Sequence, residues 1–282
     1  MSEPVDLARI SPALTRDEDG IWRPRTGRAQ ALSYPEDGND ACFRLEDESF
    51  WFAHRNACIA AALARSGRIG GPLLDVGGGN GAVSQALEAH GIDTVLLEPG
   101  PDGARNARRR GLRNVVCATL EDARFEDGSF AAVGAFDVVE HIADDHALLH
   151  EMHRVLRPDG VLCVTVPAYA WLWSAEDEIA GHHRRYTLAR LRRLLTSCSF
   201  EVRFQTYFFA PLTLPVLLLR SLPYRLLRRT EAAVVESATK QHTPSPLGRR
   251  VMDALLAPEL ARIQAGRRVP LGTSCLVVAA KA

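Results

Sequence analysis

The chain shows no excess of either charge: 34 Lys and Arg stand against 34 Asp and Glu among 282 residues. A general nucleic-acid binder usually shows a strongly basic balance, so that class is disfavoured, although a neutral total still allows a local basic face. No CxxC pair occurs among cysteines 42, 58, 117, 163, 198 and 275, and their scatter is not a disulfide framework. Pairs such as Val116-Cys117 and Leu162-Cys163 read as small core residues. The first 30 residues hold no apolar signal core. The longest apolar stretch, Tyr207 to Leu219, is broken by proline and falls short of the roughly 20 residues of a membrane span. Tandem repeats and low-complexity tracts are also lacking. Apolar residues make up 46% of the chain, which excludes disorder throughout. A reduced, cytoplasmic, globular protein is expected, with one large core and an elaboration, or two domains.

From residue 72 apolar runs alternate with helical patterns. Strands are predicted near 73–76, 94–97, 115–118, 131–136, 160–166, 201–206 and 274–279, with helices between most of them. This alternation means an α/β fold: a seven-stranded, mostly parallel Rossmann-like sheet with helices on both faces. The predicted division is 1–70, a loosely held arm and an Ala-rich cap helix; 71–206, the core; 207–272, a helical insertion; and 273–282, the last strand.

Leu73-Leu-Asp-Val-Gly-Gly-Gly-Asn-Gly81 is the most informative segment. Gly77, Gly79 and Gly81 follow a strand and open a helix, where a backbone without Cβ can turn sharply and let a ligand approach. Helix-terminal amides there favour negative groups. Glu98 ends the next strand, a position suited to gripping ribose hydroxyls. The spacing Gly77-x-Gly79-x-x-Ala82 also fits a dinucleotide fingerprint. Asp75 separates the two readings. Its carboxylate would repel a pyrophosphate and attract the ammonium of a methionine moiety.

These residues resemble the class I S-adenosylmethionine-dependent methyltransferases, of the small-molecule type that includes ubiquinone-biosynthesis-like enzymes. Leu73–Gly81 is similar to the family's first motif and Val95-Leu-Leu-Glu-Pro99 to its acidic second one. The segments 120–130, Gly134–Ile142 and Arg154–Leu162 resemble the adenine-side loop, the fourth motif and the turn before the fifth strand. The resemblance implies S-adenosyl-L-methionine as cofactor, with Glu98 on the ribose. Thr119, Leu120 and Glu121 would border the adenine, and Ala135 and Phe136 the methionine end. Many relatives carry Asp near position 119, where this chain has Thr. Segments 48–55, 171–178, 181–187 and 270–274 look like a narrower subgroup.

Methyl transfer needs an aligned acceptor and, for a hydroxyl or amine, a place for its proton. His141 follows the fourth strand closely and is one candidate base. His182 and His183 are others, and Tyr186 could orient the acceptor. The segment after the fifth strand begins at the carboxyl end of the sheet, where ligands bind. Its Trp171, Trp173, Arg184 and Arg185 are candidate substrate contacts, with Arg55 as a further anion ligand. Pairing of these arginines with Asp177 or Glu178 is the structural alternative. Trp51 and Phe52 would cap the pocket or anchor the arm.

His146, His150 and His153 share a helix stripe opposite an apolar face, so they are expected to face solvent, and no metal is expected. Arg105, Arg108, Arg109, Arg110 and Arg113 read as a solvated face rather than a nucleic-acid site. The apolar insertion, followed by Arg220, Arg225, Arg228 and Arg229, reads as a lid or pocket wall, then a homodimer contact, then a membrane-surface or lipid contact. The expected function is O-methylation of a small, apolar or amphipathic metabolite with a histidine base. C- or N-methylation, an NAD(P)-dependent oxidoreductase and a non-catalytic cofactor-binding module are the alternatives.

Overall fold

A computed structural model describes residues 5–25, 43, 45–226 and 245–282. Cys42, Arg228, Arg229 and Thr243 lie outside the described residues. The strands are β1 Leu14–Arg16, β2 Trp22–Pro24, β3 Leu73–Val76, β4 Thr94–Leu97, β5 Val115–Val116, β6 Phe130–Phe136, β7 Leu156–Pro167, β8 Phe200–Phe208 and β9 Ser274–Lys281. They form one sheet in the order β1-β2-β5-β4-β3-β6-β7-β9-β8. Pairings from β2 to β7 are parallel, and β9 runs antiparallel between β7 and β8.

The residues of β3 and β4 are all buried, because helices cover both faces of the sheet. That is why these strands read as continuous apolar runs, and why Asp75 among them stands out. Strand order reverses at β3, with β4 on one side and β6 on the other. A crevice opens at such a reversal, outside the carboxyl ends of the strands. The chain leaves those ends at Gly77, Glu98, Asp137 and Ala168, which brings the sequence motifs to one rim.

The helices include α1 Phe50–Ala64, α2 Ala82–Ala89, α3 Pro101–Arg109, α4 Asp145–Val155, α5 Ala175–Ile179, α6 Leu188–Ser197 and α7 Pro246–Gln264. Ser49 caps α1 by accepting the Trp51 amide at 3.2 Å, and Asp144 caps α4 by accepting that of Ala147 at 3.0 Å. Helix α7 packs on α1, so the late insertion meets the N-terminal cap. Cys58, Ile59 and Leu63 of α1 join Leu256 and Ile263 of α7 in one apolar cluster over β9. His54 Nε2 and Glu259 Oε1 are 2.6 Å apart inside this contact. Glu259 also accepts the amides of Phe209 and Ala210, at 2.7 and 2.8 Å. One buried carboxylate thus ties the end of β8 to both helices.

The sheet has nine strands where the sequence reading gave seven. The difference is the N-terminal arm, which is not loosely held over residues 5–25. Its hairpin, β1–β2, adds to the β5 edge, and Trp22 O accepts the Cys117 amide at 2.8 Å. Leu7, Leu14 and Ile21 are buried there. Three-residue strands are too short to show a period in sequence, so only the tertiary contact reveals them.

The arginine run is also less free than expected. Arg110 bonds Glu46 Oε2 at 2.7 Å and Phe43 O at 2.9 Å, and it contacts Asp47. Arg108 donates to Leu112 O at 2.6 Å.

Gly272, just before β9, is pressed against β8. A Cβ there would stand 2.1 Å from Phe208 O and 2.7 Å from Phe208 C, both backbone atoms that cannot rotate away. Gly272→Ala is therefore expected to cost about 2–3 kcal/mol, the upper range for overpacking. Chemical denaturation reads this as a lower midpoint with an unchanged slope.

Candidate cofactor and acceptor site

The glycine loop is built by conformation and by close contact. Gly77, Gly79 and Gly81 have φ of 68°, 54° and 83°, where L side chains are strained. A Cβ on Gly77 would meet Val138 Cγ2 at 2.8 Å, and one on Gly81 would meet Leu112 Cδ1 at 2.5 Å. Glu98 spans two loops. Its Oε2 accepts the Gly79 amide at 3.0 Å and its Oε1 the Gly100 amide at 2.6 Å. Burial pushes the Glu98 carboxyl up to about 7 against the pull of these amides. Asp75 is 1% exposed, and its Oδ2 accepts the Ser84 hydroxyl at 2.7 Å. Burial raises it to about 6, with Ser84 opposing. Asn80 donates to Glu46 Oε1 at 3.2 Å and accepts from Asn106 at 3.0 Å, which ties the loop to α3 and to the segment before α1. Sequence reasoning missed Glu46 and Asn80, because nothing in the local pattern links positions so far apart.

One cavity of about 1610 Å³ joins this loop to the rest of the rim. Asp75, Gly77, Gly79 and Glu98 line one end. Leu212, Pro215, Val216 and Leu219 line another with Leu247 and Val251 of α7. Glu140, His141, His182 and Arg185 line it as well, and Trp51, Phe52, Arg55 and Phe136 complete its wall. Trp51 stacks on Phe209 with centroids 5.2 Å apart, so it is both anchor and pocket wall. Arg55 lies 4.9 Å over the Trp51 ring and bonds Asp137 Oδ2 at 2.7 Å. That pair joins α1 to the end of β6.

The histidines differ in setting. His182 Nδ1 is 2.8 Å from Asp177 Oδ1. Arg185 holds Asp177 in turn, Nε to Oδ1 at 2.7 Å and Nη2 to Oδ2 at 2.9 Å. Burial alone would raise Asp177, yet hydrogen bonds from His182 and Arg185 hold it below the usual carboxylate value. An ionised Asp177 accepts the Nδ1 proton and leaves the Nε2 lone pair of His182 available. The His141 ring stands edge-on to His182 at 4.7 Å. Burial, then His182, pull His141 down to about 4, so it is neutral at pH 7.

Comparison with known proteins follows this geometry. A sequence family described as "Methyltransferase domain" matches residues 74–164. Over that stretch, about a third of its length, the chain is similar to methyltransferase domains. It is 32% identical over 105 residues to the ubiquinone biosynthesis O-methyltransferase of Xanthomonas oryzae, across 35% of this chain and 44% of that one. The match therefore spans less than half of that relative. It is 28% identical over 161 residues to a probable S-adenosylmethionine-dependent methyltransferase of Mycolicibacterium smegmatis, across 56% of this chain and 62% of that one. A solved Haloferax volcanii complex of the Trm112 methyltransferase activator and a methyltransferase has a chain that superposes with a TM-score of 0.58 at 21% identity, over 89% of this chain and 99% of that chain. Phosphoethanolamine N-methyltransferase 2 of Haemonchus contortus gives 0.55 at 18%, over 92% and 61%. At these identities the structures show a shared fold.

Several sequence candidates of the methyltransferase domain lie off the cavity lining. Gly81 shapes the loop from behind, as the N-cap of α2. Thr119 Oγ1 bonds Asp122 Oδ2 at 2.8 Å and caps a helical turn; Leu120 is buried in the core and Glu121 faces solvent. Pro99, Pro101 and Asp102 line the wall on the Glu98 side. Ala135 is wholly buried in the sheet. His183 is exposed and takes part through its backbone, donating its amide to Glu140 O at 2.8 Å. Tyr186 is wholly buried and donates to Asp145 Oδ2 at 2.8 Å, so it braces α4 rather than an acceptor. Arg184 pairs with the same Asp145 oxygen at 2.7 Å. Trp171 is 39% exposed and stacks on Tyr169, and Trp173 is half-buried outside the lining. Local sequence placed all of these near the rim, and only side-chain direction separates them.

His146 and His150 are exposed on α4, while His153 is half-buried against the Phe200 ring. A ligand atom from each of His146, His150 and Cys198 comes within 4.8 Å of the others. The first two are solvent-facing, as the stripe predicted. Among the described residues, no helix is long and apolar enough to cross a membrane.

Proposed function

We propose that this protein transfers a methyl group from S-adenosyl-L-methionine to an oxygen of a small, apolar or amphipathic acceptor, with His182 as general base. When bound, the cofactor supplies a methyl group activated on a sulfonium. Asp75, buried, and Glu98, half-buried, fit its ammonium and ribose as two acids at one end of the cavity. The Asp177–His182 pair in the same cavity carries the reading, because it leaves a basic nitrogen where an acceptor can reach it. The acceptor O–H gives its proton to His182 Nε2 as the O–C bond forms. The apolar side chains at 212–219 and Leu247 support an apolar body on the acceptor. Leu214, Leu218 and Leu226 of the same helical stretch are exposed beside it, which suits a lid over such a substrate.

The test is incubation of the protein with methyl-labelled S-adenosylmethionine and a metabolite extract of its source. Label is expected in one low-polarity compound through an alkali-stable C–O bond, and only with His182 present. Label on carbon or nitrogen would replace the oxygen reading. Calorimetric binding of NAD(P) without S-adenosylmethionine would overturn the methyltransferase reading. Cofactor binding without transfer would leave a binding module.

A further inference from the structure

Glu140 stands in the 3-10 turn Val139–His141 that follows β6. It has no exposure, and neither carboxylate oxygen has a hydrogen-bond partner. Among the groups around it, His182 Nε2 is 4.0 Å from its Oε1, and His141 follows it in the same turn. Asp137 and Asp177 repel a charge on Glu140, while Arg185 attracts one. Arg185 is already held by both oxygens of Asp177, and the nearby Arg55 is bonded to Asp137. Burial, then the Asp137 charge, raise the Glu140 carboxyl well above its ordinary value. An ionised carboxylate in such a place is costly unless a positive charge matches it. No dedicated side chain of the described protein supplies that charge, yet Glu140 lines the cavity where a sulfonium would enter.

We infer that Glu140 is the counter-charge of the cofactor sulfonium and the final acceptor of the proton released by methyl transfer. The counter-charge role rests on the proposed function through the cofactor, and the proton-acceptor role through the oxygen acceptor and His182 as well. Charge balance in a buried site is the physical reason. Before the step the cavity holds a sulfonium and the Glu140 carboxylate. The acceptor oxygen bonds to the methyl carbon, the C–S bond breaks with its pair on sulfur, and the sulfonium becomes a neutral thioether. The acceptor O–H proton passes by His182 to Glu140, leaving a neutral carboxylic acid. The sum of these charges is zero before and after. The sulfonium suppresses the proton affinity of Glu140 while present, and that affinity returns as its charge is lost. A short movement of the His182 ring from its 4.0 Å separation brings Nε2 to Oε1.

Binding of S-adenosylmethionine and S-adenosylhomocysteine separates this role from a structural one. Both carry the same ammonium, carboxylate and ribose, so Asp75 and Glu98 respond alike to both. Only the first carries the sulfonium. Calorimetry at pH 7 in buffers of different ionisation enthalpy measures the protons released. S-adenosylmethionine is expected to release more than S-adenosylhomocysteine, by up to about one proton per site. The difference vanishes in Glu140→Gln and persists in Glu140→Asp. Unchanged S-adenosylhomocysteine affinity in both variants shows that the site is intact. Equal proton release by the two ligands in the wild type, or a difference that survives in Glu140→Gln, overturns the inference alone. So does a divalent cation retained by the wild type and lost in Glu140→Gln, because the metal would then match the carboxylate. Failure of both nucleosides to bind overturns the methyltransferase reading and this inference with it.

Discussion

Glu98→Ala is expected to weaken S-adenosylmethionine binding by about 10²–10³-fold, because two charge-assisted hydrogen bonds to a ribose are worth about 3–4 kcal/mol together. The same change frees the amides of Gly79 and Gly100, which Glu98 holds at 3.0 and 2.6 Å. The loop loses its brace as well as the ribose contact proposed for Glu98. Glu98→Gln keeps the shape without the charge and is expected to lose less. Isothermal titration across pH sharpens the test. Burial holds Glu98 near 7 and Asp75 near 6 in the ligand-free protein, while the cofactor favours both ionised. Affinity should be highest above pH 7 and fall as pH drops through 7 and then 6. Each group contributes up to about tenfold per pH unit below its own value. Glu98→Ala should leave only the later fall, near 6.

Stability of the ligand-free protein should move the other way. Both carboxyls are raised on folding, so the stability they contribute is full below their unfolded values and is lost as pH rises through 6 and 7. Opposite trends in cofactor affinity and ligand-free melting temperature would locate the titration at Asp75 and Glu98. Parallel trends would place the titration elsewhere.

His182→Ala is expected to lower kcat by about 10²–10⁴-fold, the usual worth of a positioned base, with cofactor affinity nearly unchanged. Asp177→Asn should also lower kcat, because an amide facing Nδ1 no longer enforces the tautomer that leaves Nε2 basic. Asp177 also accepts the Ser174 amide at 2.8 Å and grips Arg185, so its loss should loosen α5. Two comparisons isolate the chemistry. His183→Ala should leave the rate near the wild-type value, since its ring does not line the cavity. Tyr186→Phe should cost about 1 kcal/mol of stability, the worth of its bond to Asp145, and little rate. Single-turnover assays on the acceptor found by labelling would check all four. A full rate in His182→Ala would remove the histidine base and leave a mechanism of alignment alone.

Much of the catalytic half was legible in the chain. Strands β3 and β4 begin and end where the apolar runs do, because a strand covered on both faces must be apolar throughout. An acid inside such a run, Asp75, signals a ligand for the same reason. Glu98 was legible because it directly follows a strand, and strand ends in a parallel sheet share one rim. The four imidazole and phenol candidates were not separable from sequence. His182 and His183 are adjacent, yet one ring meets Asp177 in the cavity and the other meets solvent. Glu140 carried no local signal at all, since an acid beside a histidine near a strand end is ordinary until its oxygens prove unpaired.

By itself, then, the sequence determined the parallel sheet, its crossovers and the two acids, Asp75 and Glu98, that line one end of the cavity, because period and chain reversal are local properties of neighbouring residues. Tertiary structure alone decided that the N-terminal hairpin extends the sheet, and that Glu259 fastens the insertion to His54. It also decided that Asp177 directs His182 while Glu140 waits unpaired beside it. The hairpin depends on backbone pairing between distant segments, and the others on side-chain direction. Burial, which sets the charge of an acid, exists only once those segments have packed.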